Sequence, residues 1–212
     1  MKNGSAVAPK NRLPKEATEQ LRVLPLEIAV AKFHIVGITP LVVHAMSEKA
    51  RKILSRIDIS KVGRKKEARV PEQEMEACRR FVMVGKDKRD AIPPVAFKKA
   101  MVSACTYLDG MTKVAARGAF QVNPGEDLIP LILEAPPKMR EDICRIGIDT
   151  PDVRWRPEYS PWSCDITVRY VKSFLNGSDI YNLLNWAGEV NGIGENRPQK
   201  GGDWGMFKVE LP

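Results

Sequence analysis

Histidine is scarce in this chain: His34 and His44 are the two among 212 residues. Its four cysteines, at 78, 105, 144 and 164, lie far apart, with no CxxC and no Cys/His pairing. A structural zinc site needs clustered ligands. The sequence therefore carries no metal motif, and the thiols are expected to be reduced, several of them buried. DxD, DEDD-like, HxH and P-loop patterns are missing too, which leaves metal-dependent or nucleotide-driven chemistry without support and implies no cofactor. No apolar run approaches the ~20 residues needed to cross a bilayer, and residues 1–20 lack the apolar stretch of a secretory signal. These absences predict a soluble, cytoplasmic chain with no membrane partner.

Acidic residues are the minority charge. Against 26 Asp and Glu stand 34 Lys and Arg, a formal charge of +8 and an isoelectric point near 9.4. That balance favours a polyanionic partner, although it also serves solubility. The excess is not spread evenly. Between residues 49 and 69 fall Lys49, Arg51, Lys52, Arg56, Lys61, Arg64, Lys65, Lys66 and Arg69, opposed by Asp58 and Glu67. This stretch reads either as a phosphate-tracking surface or as a solvated helix followed by a charged loop.

The rest of the chain reads as alternating strands and helices. Residues 1–22 are polar, with Pro9 and Pro14, and are expected to form a mobile N-terminal arm. A single domain is expected over 23–212. The β-branched stretch 24–43 predicts a strand apolar in both phases, as if covered on both faces. Pro71 opens a short helix, residues 81–84 form a strand, and 92–108 is an amphipathic helix begun by Pro93 and Pro94. A second strand is expected within 119–133, with 135–142 a loop. Residues 153–171 look like a hairpin. Ser178 is the expected N-cap of a helix ending at Gly192, and the last strand lies at 206–211. The resulting order is β-α-β-β-α-β, an α+β, ferredoxin-like (RRM-like) split sheet with a basic insertion at about 47–90 after the first strand.

The densest signal lies at the end, in GIGENRPQKGGDWGMFKV. Gly192, Gly194, Gly201, Gly202 and Gly205 cluster ahead of the last strand, with Arg197 and Lys200 among them. Glycine admits positive φ and close backbone approach at an entropic cost. Amides exposed by glycines can form an anion-binding nest, and the two cations would add charge there; an ordinary glycine-rich turn is the simpler alternative. Arg154, Trp155, Arg156, Tyr159 and Trp162 interleave cations with rings on which bases stack. Arg154 and Arg156 share one strand face and could line a groove, while the tryptophans serve equally as core residues. Lys98, Lys99, Lys113 and Arg117 extend a basic face or are merely solvated. His44, after the first strand, is a candidate general base or acid, or a packing residue.

This glycine segment resembles the C-terminal glycine-rich loop of the RAMP superfamily, the repeat-associated proteins that process CRISPR RNA or form the backbone of CRISPR effector complexes. Gly192, Gly194, Arg197, Gly201, Gly202 and Gly205, then Phe207 and Val209, carry the likeness. GITPLVVHAMSEKA and the IPPVAFKKAMVSAC helix fit it more loosely. The same ensemble also looks like small phage-encoded proteins. The resemblance implies a ferredoxin-like fold and RNA or single-stranded DNA as ligand. It also implies a long insertion acting as a thumb, with a homo-oligomer or a subunit of a nucleoprotein complex as the working state. A non-catalytic, backbone-contacting binder is the leading expectation. A metal-independent endoribonuclease using His44, and a phage or defence factor that binds protein in a RAMP subunit's stead, are the alternatives.

Overall fold

The structure is a computed structural model, and it describes residues 25–45, 55, 69–146 and 150–210. The expected N-terminal arm and nearly all of the basic stretch lie outside these residues. It is a mixed α/β chain of antiparallel sheets, with four α-helices among the described residues.

The central sheet is built from β1 (Ile28–Gly37), β5 (Phe120–Val122), β10 (Trp162–Val171) and β11 (Phe207–Glu210), in the order β11-β1-β10-β5. A short strand β7 (Ile132–Leu133) joins the start of β10. Between β1 and β5 comes helix α2 (Val95–Ala104), and between β10 and β11 helix α4 (Gly177–Trp186). Strand β10 buries every second side chain from Trp162 through Tyr170, and Phe97, Met101, Ile180, Leu183 and Leu184 from the two helices join that core. Phe97 meets Phe207 edge-on with centroids 5.3 Å apart. Helices therefore cover one face of the sheet. The opposite face of β1 is open: Ile28 and Val30 are exposed, so the expected double coverage of this strand is not found. Alanines at 29 and 31 supplied apolarity on the covered side, which made both phases look alike.

Helix α1 (Pro71–Ala77) leads into a hairpin of β3 (Phe81–Val84) and β4 (Asp87–Ile92), and β4 pairs with β6 (Ile129–Pro130). Helix α3 (Lys113–Ala119) runs into β5 under a Thr112 cap. Helix α4 is capped by Asn176, not Ser178: Asn176 Oδ1 accepts from the Asp179 amide while Asp179 Oδ2 accepts from the Asn176 amide. The expected cap stands two residues inside the helix that this reciprocal box already begins.

Two expectations are overturned between residues 135 and 171. The stretch expected to be a loop is β8 (Lys138–Ile146), and β9 (Thr150–Tyr159) pairs with it and with β2 (Leu41–Val42), not with β10. Alternation showed two strands but not their partners. Strand β10 pairs with β1 from Ser163 onward, and ahead of that ladder the Trp162 ring lies where a side chain at Gly37 would stand, its Nε1 donating to the Thr39 carbonyl at 2.9 Å. Strand β8 shows no apolar period because cross-strand ion pairs hold it. Arg140 reaches Glu158 at 2.8 Å, Arg156 reaches Asp142 at 2.8 Å, and the Trp155 indole donates to Glu141 at 2.7 Å.

Candidate nucleic-acid interface

Past α4 the chain widens into one π-helical stretch, Ala187–Asn191, and the glycine segment begins at Gly192. The segment folds back on itself and onto the residues after β1. The Ile193 amide donates to the Gly205 carbonyl at 2.9 Å, the Gly205 amide to Pro40 at 2.8 Å, and the Glu195 amide to Val42 at 2.8 Å. These crossings explain the composition. At Gly205, with φ of 66°, a Cβ would stand 1.9 Å from the Ile193 carbonyl oxygen, and at Gly194, with φ of 80°, one would stand 2.5 Å from that of Val42. No L side chain fits either place.

The same bonds change the expected role of the amides. Those of Gly192, Gly201 and Gly202 donate to Ala187, Pro198 and Arg197 within the chain. These three amides are thus paired within the chain, and Gly194, Gly202 and Gly205 stand where backbone crosses backbone. Arg197 donates from Nη1 to the Gly194 carbonyl at 3.0 Å and grips Gln199 Oε1, so it braces the loop. Gln199 in turn donates to Ser103 on α2 at 3.0 Å. Lys200 is exposed at the loop's outer turn.

The β8–β9 ribbon flanks this loop. The Arg140 guanidinium lies 4.1 Å from the centroid of Trp204, a residue of the loop, and Arg156 Nη1 is 3.7 Å from Glu195 Oε2. Arg156 is 4% exposed, its Nη2 also touches Cys144 Sγ at 3.4 Å, and its Nε is buried without a hydrogen-bond partner. Arg154 donates to Asp152 at 3.2 Å. The two arginines do share a face, but Arg156 is a buried, ion-paired residue where an open groove wall was expected. Trp155 is half-buried with Arg69 at 5.1 Å over its ring, and Trp162 is buried, so the aromatic run divides between the ribbon and the core.

Arg69 is the one described cation of the basic stretch; Arg51, Lys52, Arg56, Lys61, Arg64, Lys65 and Lys66 lie outside the described residues. It pairs with Glu74 and reaches Asp152 at 2.7 Å. The Glu74 hydrogen bond is the main reason its guanidinium is held even more firmly protonated than usual. Among the flanking lysines, Lys98 donates to Gln121 at 2.6 Å.

His44 stands where β2 gives way to the basic stretch. Its Nδ1 is 3.4 Å from Cys78 Sγ. Burial, then Arg154, hold its imidazole below the ordinary value of 6.5, with Glu195 opposing. Burial likewise pushes the Cys78 thiol up, so the pair is a neutral imidazole beside a neutral thiol. Beside them opens a cavity of about 160 Å³. Its walls include Leu41, Ile92, Pro93 and Ile193, and its polar lining is His44, Cys78, Arg80, Glu195 and the Gly194 backbone. Glu195 and Arg80 escaped the sequence reading. Glu195 sits inside the glycine run, but its partner Arg156 comes from a strand whose pairing the sequence did not reveal.

Among the described residues, no group of three or more His, Cys, Asp or Glu is arranged to hold a metal ion, and no helix is long and apolar enough to cross a membrane. No family model matches the chain, and no curated protein matches it. Among solved structures, a chain of the Type III-B Cmr-beta bound to cognate target RNA is similar at 12% identity and a TM-score of 0.44, over 87% of this chain and 59% of that one. This chain thus spans under two thirds of that relative's length. A chain of a CRISPR RNA-guided surveillance complex is similar at 8% identity and a TM-score of 0.36, over 85% of this chain and 67% of that one.

Proposed function

We propose that this chain is a non-catalytic, backbone-contacting binder of single-stranded nucleic acid, RNA first and single-stranded DNA second, built on a ferredoxin-like, RAMP-type core. One observation carries the reading. The basic stretch leaves the described chain at Ala45 and returns at Arg69, and both ends stand beside the glycine loop and the ribbon. The carbonyl of Val42 takes the Glu195 amide, and Arg69 docks on Asp152 and Trp155 of β9. The two described ends of this stretch thus lie against the glycine loop and the ribbon, and in this reading its cations meet the strand together with Arg197 and Lys200. The order β11-β1-β10-β5, with a helix in each half, supports the ferredoxin-like reading. In this reading Arg51, Lys52, Arg56, Lys61, Arg64, Lys65 and Lys66 track phosphates, Lys200 adds charge, and Arg154, Arg156 and Arg69 hold the surface in shape. Assembly of several copies along one strand follows as part of the proposal.

Titration of labelled single-stranded RNA and DNA of equal length at several salt concentrations tests it. Each phosphate neutralised contributes roughly 0.7 to the slope of log affinity against log salt. A steep slope for RNA, with slight sequence dependence, is expected. Failure to bind either strand, with tight binding to a protein partner, would replace this reading with the protein-interaction one.

A second reading is favoured by the setting of His44. A neutral imidazole near Arg154 and Arg156 is the state needed to take a proton from a ribose 2′-hydroxyl, with cations at hand for the phosphate. Cleavage of labelled hairpin RNA in EDTA, lost in His44→Ala, would establish a metal-independent endoribonuclease; an uncut substrate would exclude it.

A further inference from the structure

The 160 Å³ cavity beside the glycine loop is not used by backbone contacts. Its size is well below the roughly 300–1,000 Å³ of ordinary small-molecule sites. It suits one flat heterocycle, with any sugar and phosphate left outside. The walls are apolar, from Leu41, Ile92, Pro93 and Ile193, and the polar groups are few and of distinct type. Glu195 offers a carboxylate that accepts only, half-buried and 3.7 Å from the Arg156 guanidinium. Arg80 offers donors only; it is exposed and forms no ion pair among the described residues. His44 flanks the opening and is exposed.

We infer that this cavity receives a single guanine base of the bound strand, selected by Glu195 and Arg80. The inference rests on the nucleic-acid-binding reading and adds to it a base preference at one position. Guanine presents two adjacent donors, N1–H and the 2-amino group, which match a carboxylate. Its O6 and N7 are two adjacent acceptors, which match a guanidinium. Adenine mismatches both edges: its N1 lone pair would meet the carboxylate, and its 6-amino group would meet the guanidinium. Uracil has one N–H and cytosine places an acceptor beside its amino group, so neither satisfies the carboxylate twice. The neutral His44 ring can lie against the base without repelling its donors, and Cys78 Sγ at 3.4 Å holds that ring in place.

The two histidines make a direct test possible in the intact chain. The imidazole C2–H signals of His34 and His44 are followed by proton NMR while guanosine, adenosine, cytidine and uridine monophosphates are added in turn. The His44→Gln spectrum assigns the two signals. Guanosine monophosphate is expected to move the His44 signal and leave His34 unmoved, with adenosine monophosphate at least about tenfold weaker. Arg80→Ala and Glu195→Gln should each remove that preference; Arg80 is exposed, so its variant keeps the fold. Equal or absent responses to all four nucleotides would overturn the inference. With a uridine oligomer carrying one guanosine or one adenosine, the preference should reappear as a roughly tenfold difference in affinity. Strand binding that persists without such a difference would overturn the base pocket and leave the backbone reading standing. Loss of all strand binding, with the His44 response to guanosine monophosphate intact, would overturn the backbone reading instead.

Discussion

Tyr159 and Asp90 join two of the small sheets: the phenol Oη donates to Asp90 Oδ1 at 2.8 Å across the core. Tyr159 closes β9 and Asp90 lies in β4. Arg79, just after α1, completes the network with bonds of 2.9 and 2.7 Å to the two carboxylate oxygens. Burial first, and then Asp90, push the phenol well above its ordinary range, so it stays a donor. The network fixes the ribbon relative to the β3–β4 hairpin, and thereby the cavity wall at Cys78 and Arg80.

Breaking this network from its two ends should cost unequal amounts. Tyr159→Phe removes one hydrogen bond and leaves Asp90 paired with Arg79, so a loss of about 1–2 kcal/mol is expected. Arg79→Ala strips a carboxylate that is 8% exposed of its cation, and about 3 kcal/mol is expected, somewhat moderated by the partial exposure of Arg79. Urea unfolding of both variants measures the difference. Equal losses would show that Asp90 is solvated in a way its burial denies.

The glycine segment separates packing from strain. At Gly205 a Cβ would strike the Ile193 carbonyl, and at Gly188 it would stand 1.8 Å from the Phe207 carbonyl oxygen, whereas around Gly201 there is open space. Gly205→Ala and Gly188→Ala must displace backbone and are expected to lose several kcal/mol or fail to fold. Gly201→Ala carries only the strain of its φ of 83°, about 1 kcal/mol. Thermal melting of the three variants orders them, and a Gly201 variant as damaged as the Gly205 one would refute the crossing-loop account.

How much of this could be read from residues alone depends on which signal each element carries. Helices α2 and α4 declare themselves through apolar periodicity. Strand β8 does not, because Arg140, Asp142 and Glu141 find their partners on β9, and cross-strand ion pairs leave no hydrophobic rhythm. The pairing of β9 with β2 was invisible for a related reason: alternation shows that residues 153–171 are extended, not which edge each strand meets. In the candidate site the glycines pointed rightly to an unusual loop. What they permit is the crossing of Ile193, Val42 and Gly205, and not free amides. His44 stood out as a rare residue, but its surroundings, Cys78, Arg154 and Glu195, are brought together only by the fold.

Arg197 and Lys200 differ in what they touch, so their variants should separate stability from binding. Lys200→Ala alters an exposed cation and is expected to leave the melting temperature unchanged while lowering strand affinity and reducing the salt slope by about 0.7. Arg197→Ala also removes the bracing bonds to Gly194 and Gln199 and should lower stability by about 1 kcal/mol. An unchanged affinity and salt slope in the double variant would remove the loop from the binding surface.

The pH dependence of stability should carry a mark of His44. Its folded-state pKa lies below the ordinary 6.5, burial being the largest cause and Arg154 the next. On acidification from neutral pH the unfolded chain therefore takes up this proton first. Stability falls as pH drops through about 6.5 and the contribution levels off below the folded value. The slope is modest because solvent reaches the ring. His44→Gln has no proton to exchange, so its urea midpoint should decline less than that of the parent between pH 7.5 and 5, values chosen to bracket the ordinary titration of histidine. Parallel curves for the two proteins would show that the fold leaves this imidazole as free as it is in the unfolded chain. The neutral His44 on which both the cleavage reading and the base pocket draw would then lose its basis.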